Sequence, residues 1–157
     1  MYMIREQGRG FTLLELLIVI SIIGLLSMVV FDYLGSSRDK GSDAATKQNI
    51  LNARSHAELY FTHNGTYEGV CNATNGGIFS QMQAATDAQG ITPRTVYADT
   101  SAGTAVREAC HDTLNAYAAW VPLKEGGGIC IDSQNTTVVT ATPLPATPVG
   151  ARFVCPS

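Results

Sequence analysis

The chain has 157 residues, of which 45% are hydrophobic, and it carries a formal net charge of −3 with a pI near 5.5. That length accommodates one modest globular domain plus an appendage, since domains typically run ~100–150 residues, and it argues against two independent domains. The acidic balance excludes the broadly basic surface that nucleic-acid binding usually shows, although not a small basic patch.

The first ten residues, MYMIREQGRG, are short, polar and basic at Arg5 and Arg9. Residues 11–31 then read FTLLELLIVISIIGLLSMVVF, 21 positions in which Glu15 is the only ionisable side chain. As a helix rising ~1.5 Å per residue this run covers about 30 Å, the thickness of a bilayer's hydrocarbon core. It does not read as a discarded secretory signal, whose apolar core is shorter and ends in an A-x-A-like site. Positive charge tends to remain cytoplasmic, so Arg5 and Arg9 place the bulk of the protein on the far side of the membrane. Glu15 is the anomaly. An ionisable group inside a membrane costs on the order of 2–3 kcal/mol even on generous scales, so such a group is usually paired and functional.

The string Gly10-Phe11-Thr12-Leu13-Leu14-Glu15, preceded by a short basic leader and followed by an unbroken apolar run, resembles the processing site of type IV pilins and their pseudopilin relatives. The resemblance implies that a prepilin peptidase cuts between Gly10 and Phe11 on the cytoplasmic side and N-methylates Phe11, and that the apolar run is kept. It covers residues 1–65 at the level of sequence and is architectural beyond them. The cut would create an α-amine with a reference pKa near ~7.7–8, able to stay protonated beside a carboxylate. Phe11 and Glu15 stand at i and i+4 on one helix face. A subunit could satisfy its own Glu15, or the amine of an axially displaced neighbour could reach it. The family resemblance implies the second arrangement, with the pair setting register during assembly.

After Phe31 the composition turns polar, DYLGSSRDKGSDAATKQN. Ile50, Ala53, Ala57 and Tyr60 then form a stripe at helical spacing, with Arg54, Ser55 and Glu58 off it. Asn64-Gly65 reads as the stop signal. Together these predict one long helix over residues 12–63, about 80 Å at ~1.5 Å per residue. Gly24, Gly35 and Gly41 are its weak points. Gly24 serves either close packing between helices or a flexible joint in the assembled filament, and no proline lies between Phe11 and Lys40 to break the helix there.

Residues 64–80 carry turn signals and occupy the place of the variable loop of pilins. A short helix is expected over 81–89. Strands are expected over 117–123, 128–132 and 136–142, joined by Lys124-Glu125-Gly126-Gly127 and Ser133-Gln134-Asn135, as an antiparallel meander. Pro122 marks its strand as an edge or as ending there. Trp120, Val121, Ile129 and Ile131 are the expected inner face over the Ile50–Tyr60 stripe, with Trp120 as a core residue. The organisation is thus a leader (1–10), an apolar assembly helix (11–35) and a globular head (36–157). The head comprises an amphipathic helix (36–63), a loop (64–116), and a meander with a Pro/Thr-rich tail (117–157). The fold class is α+β, a long N-terminal helix with a small antiparallel sheet.

Cys71, Cys110, Cys130 and Cys155 lie far apart with no C-x-x-C spacing, which reads as structural disulfides in an exported domain. Three connectivities are open. Pairing Cys71 with Cys110 and Cys130 with Cys155 is preferred, since it staples the loop after the long helix and then the tail. His56, His63 and His111 lack metal-ligand spacing, and Asp132, Ser133 and Asn135 offer too few oxygens for the six to eight that calcium takes, so no metal and no cofactor are expected. N-x-[ST] triplets at Asn64, Asn72 and Asn135 carry little weight behind a bacterial-looking export signal. No G-x-S-x-G string occurs, and no enzyme is expected.

The resemblance implies a structural subunit of a type IV pilus that partners identical or related subunits, the prepilin peptidase and an inner-membrane assembly platform. It would reside in the inner membrane before assembly and in the extracellular filament after. The alternatives are a pseudopilin of type II secretion and a minor tip pilin for adhesion or DNA uptake. Two disulfides and a weak calcium turn favour the pilin. Removing the leader takes Arg5, Arg9 and Glu6 with it, leaving eight basic against twelve acidic side chains, which argues against nucleic acid as a partner.

Overall fold

The computed structural model describes residues 10–72, 76–91, 103–104, 107–146 and 153–156, apart from the side chain at position 32. The residues 1–9 of the expected leader lie outside this set. Helix α1 runs Leu13–Asn64, helix α2 runs Phe79–Gln89, and four strands follow: β1 Ala109–Asp112, β2 Tyr117–Pro122, β3 Gly128–Asp132 and β4 Thr137–Thr140. The chain divides into two compact units, Met1–Arg38 and Asp39–Ser157.

In the first unit α1 is apolar on all sides up to Phe31, and its large hydrophobic side chains are exposed. Leu13 is 87% exposed, Leu25 73% and Met28 78%, so these side chains are not packed against other described residues. Gly24, Gly35 and Gly41 do not interrupt α1, and a Cβ at any of them would meet no neighbouring atom.

In the second unit α1 becomes two-faced. Ile50, Ala53, Ala57 and Tyr60 are buried, and its C-terminus is closed by Gly65 at φ 73°, whose N–H donates to the Phe61 carbonyl at 2.7 Å. A left-handed glycine one residue past the helix is the usual way to satisfy its last carbonyls. Helix α2 ends in the same manner, at Gly90 with φ 70°.

The strands form one antiparallel sheet in the order β1-β2-β3-β4, the meander of an α+β fold. Successive strand residues face opposite sides, so the sheet has two cores. Cys110, Tyr117, Ala119, Val121, Ile129 and Ile131 face the α1 stripe together with Ile78, Met82 and Ala85 around α2. Ala109, Ala118, Trp120 and Cys130 face the other way, under Leu144 and Phe153. Trp120 therefore corrects the expected inner face. It is fully buried, but adjacent residues of a strand cannot share a side, and Val121 takes the helix side. The indole lies where a Cβ on either Gly103 or Gly128 would collide with it.

Strand β1 falls inside the span expected to be loop. Ala-Cys-His-Asp has no β-branched residue and no Tyr, Phe or Trp, the usual strand formers, and owes its conformation to pairing with β2 and to the Cys110 disulfide. Pro122 is the last residue of β2, opposite Gly128; β2 lies between β1 and β3, so it ends there and is no edge. β1 and β4 are the outer strands of the sheet, and β4 has alternating exposure.

Candidate processing and assembly segment

Gly10 and Phe11 precede the helix in non-helical, exposed backbone, Phe11 being 83% exposed. The bond between them thus lies outside α1 in exposed backbone. Two residues on, Thr12 and Glu15 close a reciprocal pair. The Thr12 N–H and hydroxyl donate to Glu15 Oε2 at 2.9 and 2.8 Å, and the Glu15 N–H donates to Thr12 Oγ1 at 3.2 Å. This is a capping box, in which each end of a T-x-x-E string satisfies an N–H that the first helical turn leaves unpaired. The signal stands in the sequence as the T-x-x-E string Thr12-Leu13-Leu14-Glu15. Both bonds that Glu15 accepts from Thr12 fall on Oε2.

In the head, three aspartates fasten loops to the framework. Asp43 of α1 accepts the Lys124 N–H at 2.8 Å, the Glu125 N–H at 3.1 Å and the Gln89 side-chain amide at 2.9 Å. Burial pushes the Asp43 carboxyl up, but the Lys124 N–H, the Gln89 amide, the Glu125 N–H and the Lys47 charge together hold it below its ordinary value. Asp112 at the end of β1 accepts the Gly69 and Cys71 N–H groups at 3.2 and 2.9 Å. Asp132 at the end of β3 accepts the N–H groups of Gln134 and Thr136 on Oδ1 and of Cys155 on Oδ2. Its oxygens are thereby engaged in holding a turn, with Asn135 at φ 69°, and the tail.

The structure links Cys71 to Cys110 and Cys130 to Cys155, with Cα atoms 5.8 and 5.7 Å apart. The histidines are dispersed: His56 and His63 are exposed on α1, and His111 is buried and stacked on Phe153 at 4.5 Å. Among the described residues no group of three or more His, Cys, Asp or Glu side chains is placed to hold a metal.

Residues 7–31 match the family model for the prokaryotic N-terminal methylation motif, which contains Gly10, Phe11, Glu15 and Gly24. Type II secretion system core protein G of Klebsiella michiganensis is 35% identical over 63 residues, 40% of this chain and 44% of that protein. The protein of the same name from Escherichia coli is 32% identical over 81 residues, 52% of this chain and 53% of that one. The type IV wide pilus major component PilA4 of Thermus thermophilus is 37% identical over 62 residues, 40% of this chain and 47% of that one. The chain spans about half the length of these relatives. No solved structure matches it significantly.

Proposed function

We propose that the chain is a subunit of the type IV pilin and pseudopilin group, which works by assembling into a filament and has no catalysis of its own. The observation that carries the reading is the apolar half of α1: fully exposed, long enough to cross a membrane, and preceded by an accessible Gly10–Phe11 bond within a methylation motif. A helix apolar on all sides must be covered by lipid or by other helices. Both environments belong to one working cycle. The subunit waits in the inner membrane and then exchanges lipid for neighbouring subunits in a filament outside the cell.

Processing by a prepilin peptidase exposes the Phe11 amine, and its methylated ammonium is the cation that Glu15 of an axially displaced neighbour accepts. Leaving one partner of a buried pair alone costs roughly 3–5 kcal/mol, so the pair selects register more than it adds stability. Gly24 permits close approach of the packed helices. The specific role is that of a type IV pilus subunit, supported by the resemblance to the Thermus component and by a disulfide-stapled head. A role as a type II secretion pseudopilin is the second reading, favoured by the two core protein G relatives.

Mass spectrometry of filaments sheared from cells tests the proposal. The expected species begins at Phe11, carries one N-methyl group and contains two intact disulfides. A chain that keeps residues 1–10 and stays monomeric while peptidase and platform are active would overturn it. Deleting the chain separates the two roles, since loss of surface filaments with exoprotein secretion intact points to the pilus.

A further inference from the structure

Between α1 and α2 the head carries an open cleft of about 370 Å³, at the lower end of the volume range of small-molecule sites. One wall is a stripe of α1, Asn49, Asn52 and His56, with Ser55 beside it. The other is the start of α2, with Ser80, Gln81 and the small, exposed Ala84.

The chemistry of this lining is selective. It has no carboxylate, ammonium or guanidinium, so it offers no opposite full charge to a phosphate, a carboxylate or a divalent cation. It has no aromatic ring other than one imidazole and no large aliphatic side chain, so it offers nothing to a lipid tail or a nucleobase. What it does have is unspent hydrogen-bonding capacity. Asn49, Ser55 and His56 have no side-chain hydrogen bond to other described residues, and the only bonds that Asn52 and Gln81 make engage their carbonyl oxygens. Their amide N–H₂ groups are left as donors, the Asn49 amide and the Ser55 hydroxyl add paired donors and acceptors, and the Ser80 hydroxyl, which donates to Gln81 Oε1 at 3.0 Å, adds an acceptor.

The walls are also fixed. Thr46 of α1 donates to the Ala85 carbonyl, and the Gln89 amide bonds Asp43 and Thr46 at 2.9 and 2.8 Å. Ile78, Met82 and Ala85 lie in the core behind them. A cleft held open by its scaffold loses little freedom on binding.

From this set of amides and hydroxyls we propose that the cleft binds a neutral saccharide, whose vicinal hydroxyls need paired donors and acceptors and no charge. The proposal stands on the cleft alone and does not depend on filament assembly.

The test is an NMR titration of the full-length, isotope-labelled protein in phosphocholine-headed micelles, which contain no sugar of their own. The probes are maltotriose, lactose and chitotriose, with a blocked Gly-Ser-Thr peptide as the competing class. The expected result is saturable movement of the Asn49, Asn52 and Gln81 side-chain amide signals with at least one saccharide, at a Kd of roughly 0.1–10 mM. Asn52→Ala should weaken it at least about tenfold, and Ala84→Trp, which sets an indole in the cleft, should abolish it. Gln134→Ala, in the distant β3–β4 turn, should not change it. All three are surface positions, and retained disulfides and an unchanged fluorescence spectrum of the wild-type Trp120 would verify the fold of the variants at 52 and 134. Absence of saturable movement with all three saccharides overturns the proposal, as does a response to the peptide alone or one that survives Ala84→Trp.

Discussion

Asp43, Asp112 and Asp132 perform the same physical task in three places, each presenting a carboxylate to two or more backbone N–H groups of a neighbouring loop. Hydrogen bonds to a charged acceptor are worth more than neutral ones, about 1.5–3 kcal/mol each, and leaving the buried N–H groups unpaired costs a further desolvation penalty. Asp43 is the most consequential, because it joins α1 to the β2–β3 turn and to α2. Asp43→Asn should lower the unfolding free energy of the head by about 1–3 kcal/mol at neutral pH, read by chemical denaturation. The sign of its pH dependence follows from its lowered folded value. Its contribution is complete above the unfolded value near ~3.9 and is lost as pH falls through the folded value below that. Acid unfolding of the native protein should therefore steepen below about pH 4, and the Asn variant should show a flatter limb in that window. None of these bonds was legible in the sequence. An aspartate reads as a turn former or a solvated charge, and only the tertiary arrangement shows which N–H groups it meets. Glu15 differs, since its partner is three residues away and the T-x-x-E string announces it.

At the scale of elements, long periodic segments were legible and short ones were not. Helix α1 begins and ends within a residue of its expected bounds, because an apolar run, a buried stripe and Asn64-Gly65 all agree. The strands β2, β3 and β4 were marked by aromatic and β-branched residues between turn signals, whereas β1 had no such marks and α2 starts two residues earlier than its pattern suggests. The facing of Trp120 was available from alternation, yet its neighbour Val121 was assigned to the same side. The true arrangement explains two glycines at once. Gly103 and Gly128 flank the indole, and a methyl group at Gly128 would overlap its six-membered ring. Gly128→Ala should destabilise the head by about 1–3 kcal/mol through overpacking. Because Trp120 is the chain's one tryptophan, displacement should also shift its fluorescence emission to longer wavelength. An unshifted spectrum with unchanged stability would contradict the packing described here.

For the whole molecule, the division at Arg38 and Asp39 separates two kinds of stability. The head buries its own core and is cross-linked; the apolar half of α1 buries nothing and depends on its surroundings. Glu15→Ala should leave membrane insertion intact, since it removes a charge, and should reduce sheared filaments at least about tenfold if an unpaired ammonium is left in the assembled core. Thr12→Ala separates the capping role of Glu15 from its proposed role in assembly. It removes half of the capping box while retaining the carboxylate, so filament yield should fall far less than for Glu15→Ala. Immunoblots of membrane and sheared fractions measure both.

The bond between Cys71 and Cys110 has a mechanical corollary. Asn64 ends the helix and β1 starts near Cys110, so the uncross-linked chain between them would be forty-six residues, a tether able to stretch to roughly 160 Å. The cross-link shortens that path to the seven residues from Asn64 to Cys71, roughly 25 Å, plus one sulfur bridge. A pull transmitted along α1 thus reaches the sheet almost at once, with little slack to take up before the load is shared.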